Sequence, residues 1–211
     1  MRSVRLSAMT AILCLVGWQA SSLQAAPWSN PNGSSPGFFS WENGSNDVGL
    51  FGDPVPIGNS LVFFPTNFFS SSNAGIIPPA THDKINVDIL ALAGQQISQI
   101  NIIEVGDYQI NGTGPNTSVN ASGTLVVTPL NVAGLPAVSP LATAPPMPVV
   151  TGSGVWQGTA SAILANGITK IHLTLDNILQ ARSDPNTSTF IEKKVTQGII
   201  IQILIPEPTT I

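Results

Sequence analysis

The chain has 211 residues, one cysteine, and only 9% Asp, Glu, Lys and Arg, where an average soluble domain carries about 25%. Its formal net charge is −4, and a charge-poor, acidic balance speaks against nucleic acid or an anionic membrane as partner. Solubility then rests on Ser, Thr, Asn and Gln, which suits a secreted β-protein in a polysaccharide-rich setting.

The N-terminus places Arg2 and Arg5 ahead of an apolar run from Ala8 to Trp18, followed by Ala20-Ser21-Ser22. Charged, then apolar, then small is the order of a secretory signal peptide, and the run falls short of the roughly 20 apolar residues a spanning helix needs. Residues 1–25 are read as the leader, with cleavage after Ala25, so no stable membrane span is expected in the mature chain. The leader takes Cys14 with it, leaving neither a disulfide nor a thiolate ligand. It also takes two of the seven basic residues, leaving five against eleven acidic ones. Stability has to come from apolar burial, for which a single domain over residues 26–205 is long enough.

Residues 27–80 carry most of the aromatics: Trp28, Phe38, Phe39, Trp41, Phe51, Phe63, Phe64, Phe68 and Phe69. Gly, Pro, Ser and Asn space them, which predicts short strands and turns, with a strand over Ser60 to Phe64 and a turn at Trp41-Glu42-Asn43-Gly44. The rings have two readings, a stacking platform for sugar or packing over a sheet. A sandwich without disulfides needs the Phe pairs inside, which leaves Trp41 and Trp156 as the candidate carbohydrate-contacting residues.

From Asp83 to Leu130 short β-branched runs dominate. Ile85, Val87 and Ile89 alternate with Lys84, Asn86 and Asp88, the period of a half-buried strand. A second run starts at Ile97; its apolar pattern moves from Ile100 and Ile102 to Ile103 and Val105, which predicts a β-bulge. Asn111-Gly112 is a hairpin signal, and a third run from Thr124 to Thr128 completes an expected meander. Pro129 to Val150 holds six prolines and reads as a long Greek-key crossover. Strands resume over 155–164 and 168–175, joined by a second hairpin signal at Asn166-Gly167. A helical turn is expected over 177–181, and strands over 190–195 and 198–205. Ile199, Ile201, Ile203 and Ile205 on one face, with Ile200 and Leu204 on the other, make the last run a candidate central strand.

Catalytic signatures are sparse: no H-E-x-x-H, no Walker loop and no Cys–His pair. His82 and His172 read as ordinary histidines of a strand entrance and a polar strand face. Glu104 and Asp107 are the one close acidic pair in the second run. They would point to opposite faces of a regular strand unless Gly106 carries a bulge. Turned together, with Glu42 or Asp47, they would offer hard oxygens to Ca²⁺ or a carboxyl pair to a glycosidic bond.

At the C-terminus the chain reads Ile205-Pro206-Glu207-Pro208-Thr209-Thr210-Ile211. The triplet Pro206-Glu207-Pro208 resembles the opening of the PEP-CTERM sorting signal of secreted bacterial proteins. In that family an apolar helix and a short basic cluster follow the triplet; here only Thr209, Thr210 and Ile211 follow, so residues 206–211 are read as a truncated tail. The resemblance implies exosortase-type sorting machinery, a Gram-negative, exopolysaccharide-producing source, and a secreted or outer-surface location. It transfers no catalytic residue.

These readings predict an all-β protein, a single antiparallel β-sandwich of jelly-roll-like form. Its expected role is that of a non-enzymatic cell-surface or extracellular-matrix protein that contacts polysaccharide. The alternative is a polysaccharide-acting hydrolase or a Ca²⁺-dependent binding module using Glu104 and Asp107.

Overall fold

The computed structural model of the protein describes residues 26–194 and 198–206. The expected leader at 1–25, and Glu207 and Pro208 of the tail triplet, lie outside the described residues. Regular period-two alternation produces strands throughout and no helix among the described residues. In chain order they are β1 (Ala26–Pro27), β2 (Gly33–Ser35), β3 (Phe39–Asn46), β4 (Val55–Ile57), β5 (Ser60–Phe63) and β6 (Phe69–Asn73). Then come β7 (Thr81–Ala91), β8 (Gln99–Asn111), β9 (Ser118–Pro129), β10 (Ala137–Pro140) and β11 (Ala142–Ala144). The last four are β12 (Gly152–Ile163), β13 (Lys170–Arg182), β14 (Ser188–Lys193) and β15 (Ile199–Leu204).

Two antiparallel sheets pack face to face as a β-sandwich. The first has the order β1-β3-β7-β13-β9-β10, with β2 beside β3; the second has the order β11-β12-β8-β15-β5-β4, with β14 between β8 and β6. One long edge of β8 is thus shared: β15 pairs with its first half, Gln99 to Glu104, and β14 with its second, Gly106 to Asn111. The expected central position of the last strand holds, since β15 lies between β8 and β5.

The expected meander does not form. β7 and β9 belong to the first sheet and β8 to the second, so each connection crosses from one layer to the other. The same holds for β12 and β13. Asn166-Gly167 reverses the chain, with Gly167 at φ 83°, but it delivers β13 to the opposite sheet. The proline-rich segment is also a crossover, yet it contributes two short edge strands, β10 against β9 and β11 against β12. Residues 177–181 continue β13 instead of forming a helical turn.

Apolar residues from both inner faces make one core that includes Ile85, Val87, Ile89, Leu173, Leu175, Ile199 and Ile201. Alternation splits the phenylalanine pairs: Phe39, Phe63 and Phe68 are buried while Phe38, Phe64 and Phe69 are exposed. Phe51 meets Phe63 and Phe68 edge-on with ring centroids 6.2 and 5.1 Å apart, the offset geometry that aromatic quadrupoles favour.

Candidate functional site

Glu104, Asn177 and Lys193 occupy inward positions of otherwise regular strands. In β8 the inward series is Ile100, Ile102, Glu104 and Gly106; in β13 it runs Leu173, Leu175, Asn177 and Leu179; in β14 it is Thr189, Ile191 and Lys193. The register of β8 against β12 is unbroken from Gln99 to Ile110, so the expected bulge near Ile103 is absent. Ile103 and Val105 point outward, and the charged Glu104 points in.

These three side chains meet between the sheets. Lys193 Nζ donates to Glu104 Oε2 and to Asn177 Oδ1, the latter at 2.7 Å, while Asn177 Nδ2 donates to Glu104 Oε1 at 2.7 Å. The carboxylate, ammonium and carboxamide therefore touch pairwise in a closed triangle. The side chains of Lys193 and Glu104 are fully shielded from solvent, and Asn177 is 1% exposed. Phe68 and Trp156 flank the ammonium, with Nζ 5.1 and 5.2 Å from their ring centroids, a cation–π arrangement. Burial pushes the Lys193 amine below its ordinary range, and the neighbouring Glu104 opposes that shift only in part.

Two glycines make room for the triangle. Gly106 pairs with Trp156 on one side and Lys193 on the other; a Cβ there would lie 2.2 Å from Trp156 Nε1 and 2.0 Å from the Glu192 carbonyl oxygen. The indole fills that gap and donates from Nε1 to the same carbonyl at 3.1 Å, which fixes the backbone of β14 next to Lys193. Gly123 of β9 pairs with Asn177, and a Cβ there would lie 3.3 Å from the Asn177 carboxamide.

A buried ion pair is not a stability device in itself: a well-packed apolar replacement of similar volume is often neutral or better. What the triangle offers is chemistry. It holds an amine, a carboxyl group and a carboxamide in mutual contact, shielded from solvent.

The residues expected to carry function are distributed differently. Glu104 and Asp107 lie on opposite faces of β8. Asp107 faces outward to Lys194 at 3.0 Å, so the bulge that would turn the two acids together is absent and they do not face one site. Glu42 and Asp47 pair instead with Lys170 and Lys84. Among the described residues no group of three or more His, Cys, Asp or Glu side chains is placed to hold a metal ion. Trp156 is fully buried and offers no face to a sugar. His82 and His172 sit on the outer face of the first sheet beside Asp176 and Asp88, at 3.1 and 2.7 Å. Asp83 turns inward, and its carboxylate accepts from the backbone N–H groups of Val48, Leu50 and Phe51.

No G-x-S-x-G elbow is expected from the sequence, yet Gly33-Ser34-Ser35-Pro36-Gly37 has that spacing. Its context is not that of a nucleophile, which needs an exposed turn between strand and helix. Ser35 is 3% exposed on β2 and donates to the Gly58 carbonyl oxygen at 2.5 Å.

Trp41 is buried as well, at 5% exposed, but alone of the two candidate tryptophans it lines a surface cleft. Its ring packs over Gly33, where a Cβ would lie 2.2 Å away, and Nε1 donates to the Asn30 carbonyl oxygen at 3.2 Å. The cleft has about 260 Å³ and is lined by Asn30, Asn32, Ser34, Asp53, Pro54 and Pro56 beside that indole. Pro206, the one described residue of the tail triplet, is exposed beyond β15. Compared with known proteins, the chain matches no family model and no curated protein sequence.

Proposed function

We propose that the chain is a non-enzymatic β-sandwich protein of a bacterial cell surface or extracellular matrix, contacting polysaccharide through the cleft at Trp41. The observation that carries this reading is the composition of that cleft. Side-chain amides, a hydroxyl and a carboxylate, from Asn30, Asn32, Ser34 and Asp53, surround an indole and two prolines. Sugars ask for hydrogen-bonding groups around an apolar patch, offered here by the more exposed Pro54 and Pro56 beside the nearly buried indole. At about 260 Å³ the cleft is smaller than the roughly 300–1,000 Å³ of drug-sized sites, which suits one terminal sugar and not an extended chain.

The leader-like N-terminus and the Pro206-Glu207-Pro208 triplet support export and exosortase-type sorting. The charge-poor surface, rich in Asn, Ser and Thr, supports a polysaccharide-rich destination. The test is affinity electrophoresis of the purified protein through gels containing extracted matrix polysaccharide, with and without chelator. Retention that is insensitive to chelator is expected, and it should fall at least threefold in an Asn30→Ala/Ser34→Ala variant. Migration unaffected by every glycan offered would dismiss the reading.

A further inference from the structure

We propose that Lys193 and Asn177 become joined by an intramolecular isopeptide bond, formed by the protein itself with Glu104 carrying the protons, which staples one sheet to the other. Asn177 belongs to β13 of the first sheet, whereas Lys193 and Glu104 belong to β14 and β8 of the second. A bond between them would join covalently two layers otherwise held by apolar packing and a few hydrogen bonds such as Ala181 N–H to Ser70 Oγ. The inference stands on the interior triangle and is independent of any glycan contact at Trp41.

The geometry supplies each part of the reaction. An amine is a nucleophile only when neutral, and the depressed proton affinity of Lys193 in its apolar surroundings favours that form. Transfer of one proton from the ammonium to the Glu104 carboxylate turns a buried ion pair into two neutral groups, the cheaper state in a dry medium. The neutral Nζ lies 2.7 Å from Asn177 Oδ1, with the electrophilic Cγ one bond beyond. Attack forms the Nζ–Cγ bond and moves the carbonyl electron pair onto oxygen. The leaving nitrogen, Nδ2, lies 2.7 Å from Glu104 Oε1, so the acid stands against the atom it protonates.

Collapse of the intermediate breaks Cγ–Nδ2 and releases ammonia. Of the two protons Nζ gives up, one leaves with the ammonia and the other stays on Glu104. The resulting neutral carboxyl is left beside the new amide. Nothing is oxidised or reduced, and no co-reactant is required. Held groups of this kind react with effective molarities of about 10⁵–10⁸ M, and exclusion of water protects the product from hydrolysis. The reaction removes the buried ion pair itself, which accounts for its presence in a core that a leucine and a methionine would otherwise fill as well.

The test is intact mass measurement of the folded, purified full chain, followed by tryptic mapping. The expected result is a deficit of one ammonia, about 17 Da, from a covalent modification. Trypsin should spare the amidated Lys193 and yield residues 171–182 linked to residues 183–194. Full sequence mass, with the two peptides recovered separately, would overturn the proposal and leave a buried ion pair. Glu104→Gln, nearly isosteric and checked for folding by circular dichroism, should show full mass and separate peptides; a linked product in that variant would remove Glu104 from the reaction. Asn177→Ala keeps Lys193 and Glu104 together, and a linked product there would overturn the choice of Asn177 as acceptor.

Discussion

The outer face of the first sheet and the space between the sheets both pair lysine with a carboxylate, and they put the pair to opposite use. Outside, Lys170 meets Glu42 at 2.9 Å, with Lys84 and Asp47 nearby in the same arrangement at 3.4 Å. The hydrogen bond that Lys170 donates to Glu42 holds its amine above the ordinary range, so it stays a hydrated cation. Inside, burial drives Lys193 the other way. The comparison teaches that solvent, more than partner, decides whether a lysine in this sandwich is a charge or a nucleophile. Both placements follow from strand parity alone: Lys170 occupies an outward position of β13 and Lys193 an inward position of β14.

The comparison breaks most sharply by removing one inner partner. Lys193→Ala should cost about 3–5 kcal/mol in urea unfolding, because it strands the buried Glu104. Replacing both charges, Glu104→Leu with Lys193→Met, should recover much of that loss, since an apolar pair of similar volume fills the space without charge. Whether it reaches the wild type separates the two accounts of the triangle. A ring closed between positions 16 apart would leave the double variant about 3 kcal/mol short, by the loop-closure argument that applies to cross-links of that length. A plain ion pair would leave it equal to the wild type or above.

The smallest effect belongs outside. Lys170→Ala should leave the urea midpoint unchanged within error, and any residual difference should vanish in high salt, because an exposed pair is screened and costs side-chain entropy to hold. A loss comparable to that of Lys193→Ala would end the distinction between the two faces.

Much of the sandwich is legible in the sequence wherever apolar residues keep strict alternation, as in Ile85-Val87-Ile89, Ile171-Leu173-Leu175 and Ile199-Ile201-Ile203. The pairing is not legible. Gly112 and Gly167 both take positive φ, 85° and 83°, and a turn forms at Asn166-Gly167. Asn111 still belongs to β8, however, and the turn after it falls at Pro115-Asn116, so neither pair closes a hairpin. A local turn, however, does not say whether the returning strand lies beside its predecessor or across from it. The interior triangle is hidden for a related reason. Hydrophobicity assigns Ile103 and Val105 to the core and Glu104 to water, and only the unbroken register with β12 fixes the reverse. Asn177 continues the inward series of β13, but its polarity suggests that the strand has ended. Lys193 stands two positions beyond the inward Ile191, a signal that parity carries and polarity obscures. Trp156 is misplaced as a surface residue because an indole suits a sugar face; Gly106, its partner on β8, is what lets the indole into the core.

Amine acylation of the folded protein, with peptide mapping before and after unfolding in denaturant, tests the inward placement of Lys193 most directly. Lys84, Lys170 and Lys194, each with a side chain about a third exposed, should react in the native state while Lys193 does not. Resistance that persists after unfolding marks the isopeptide bond, and reactivity gained only on unfolding marks a sealed ion pair without it. Labelling of Lys193 in the native protein at the rate of the other three would contradict the account at its root.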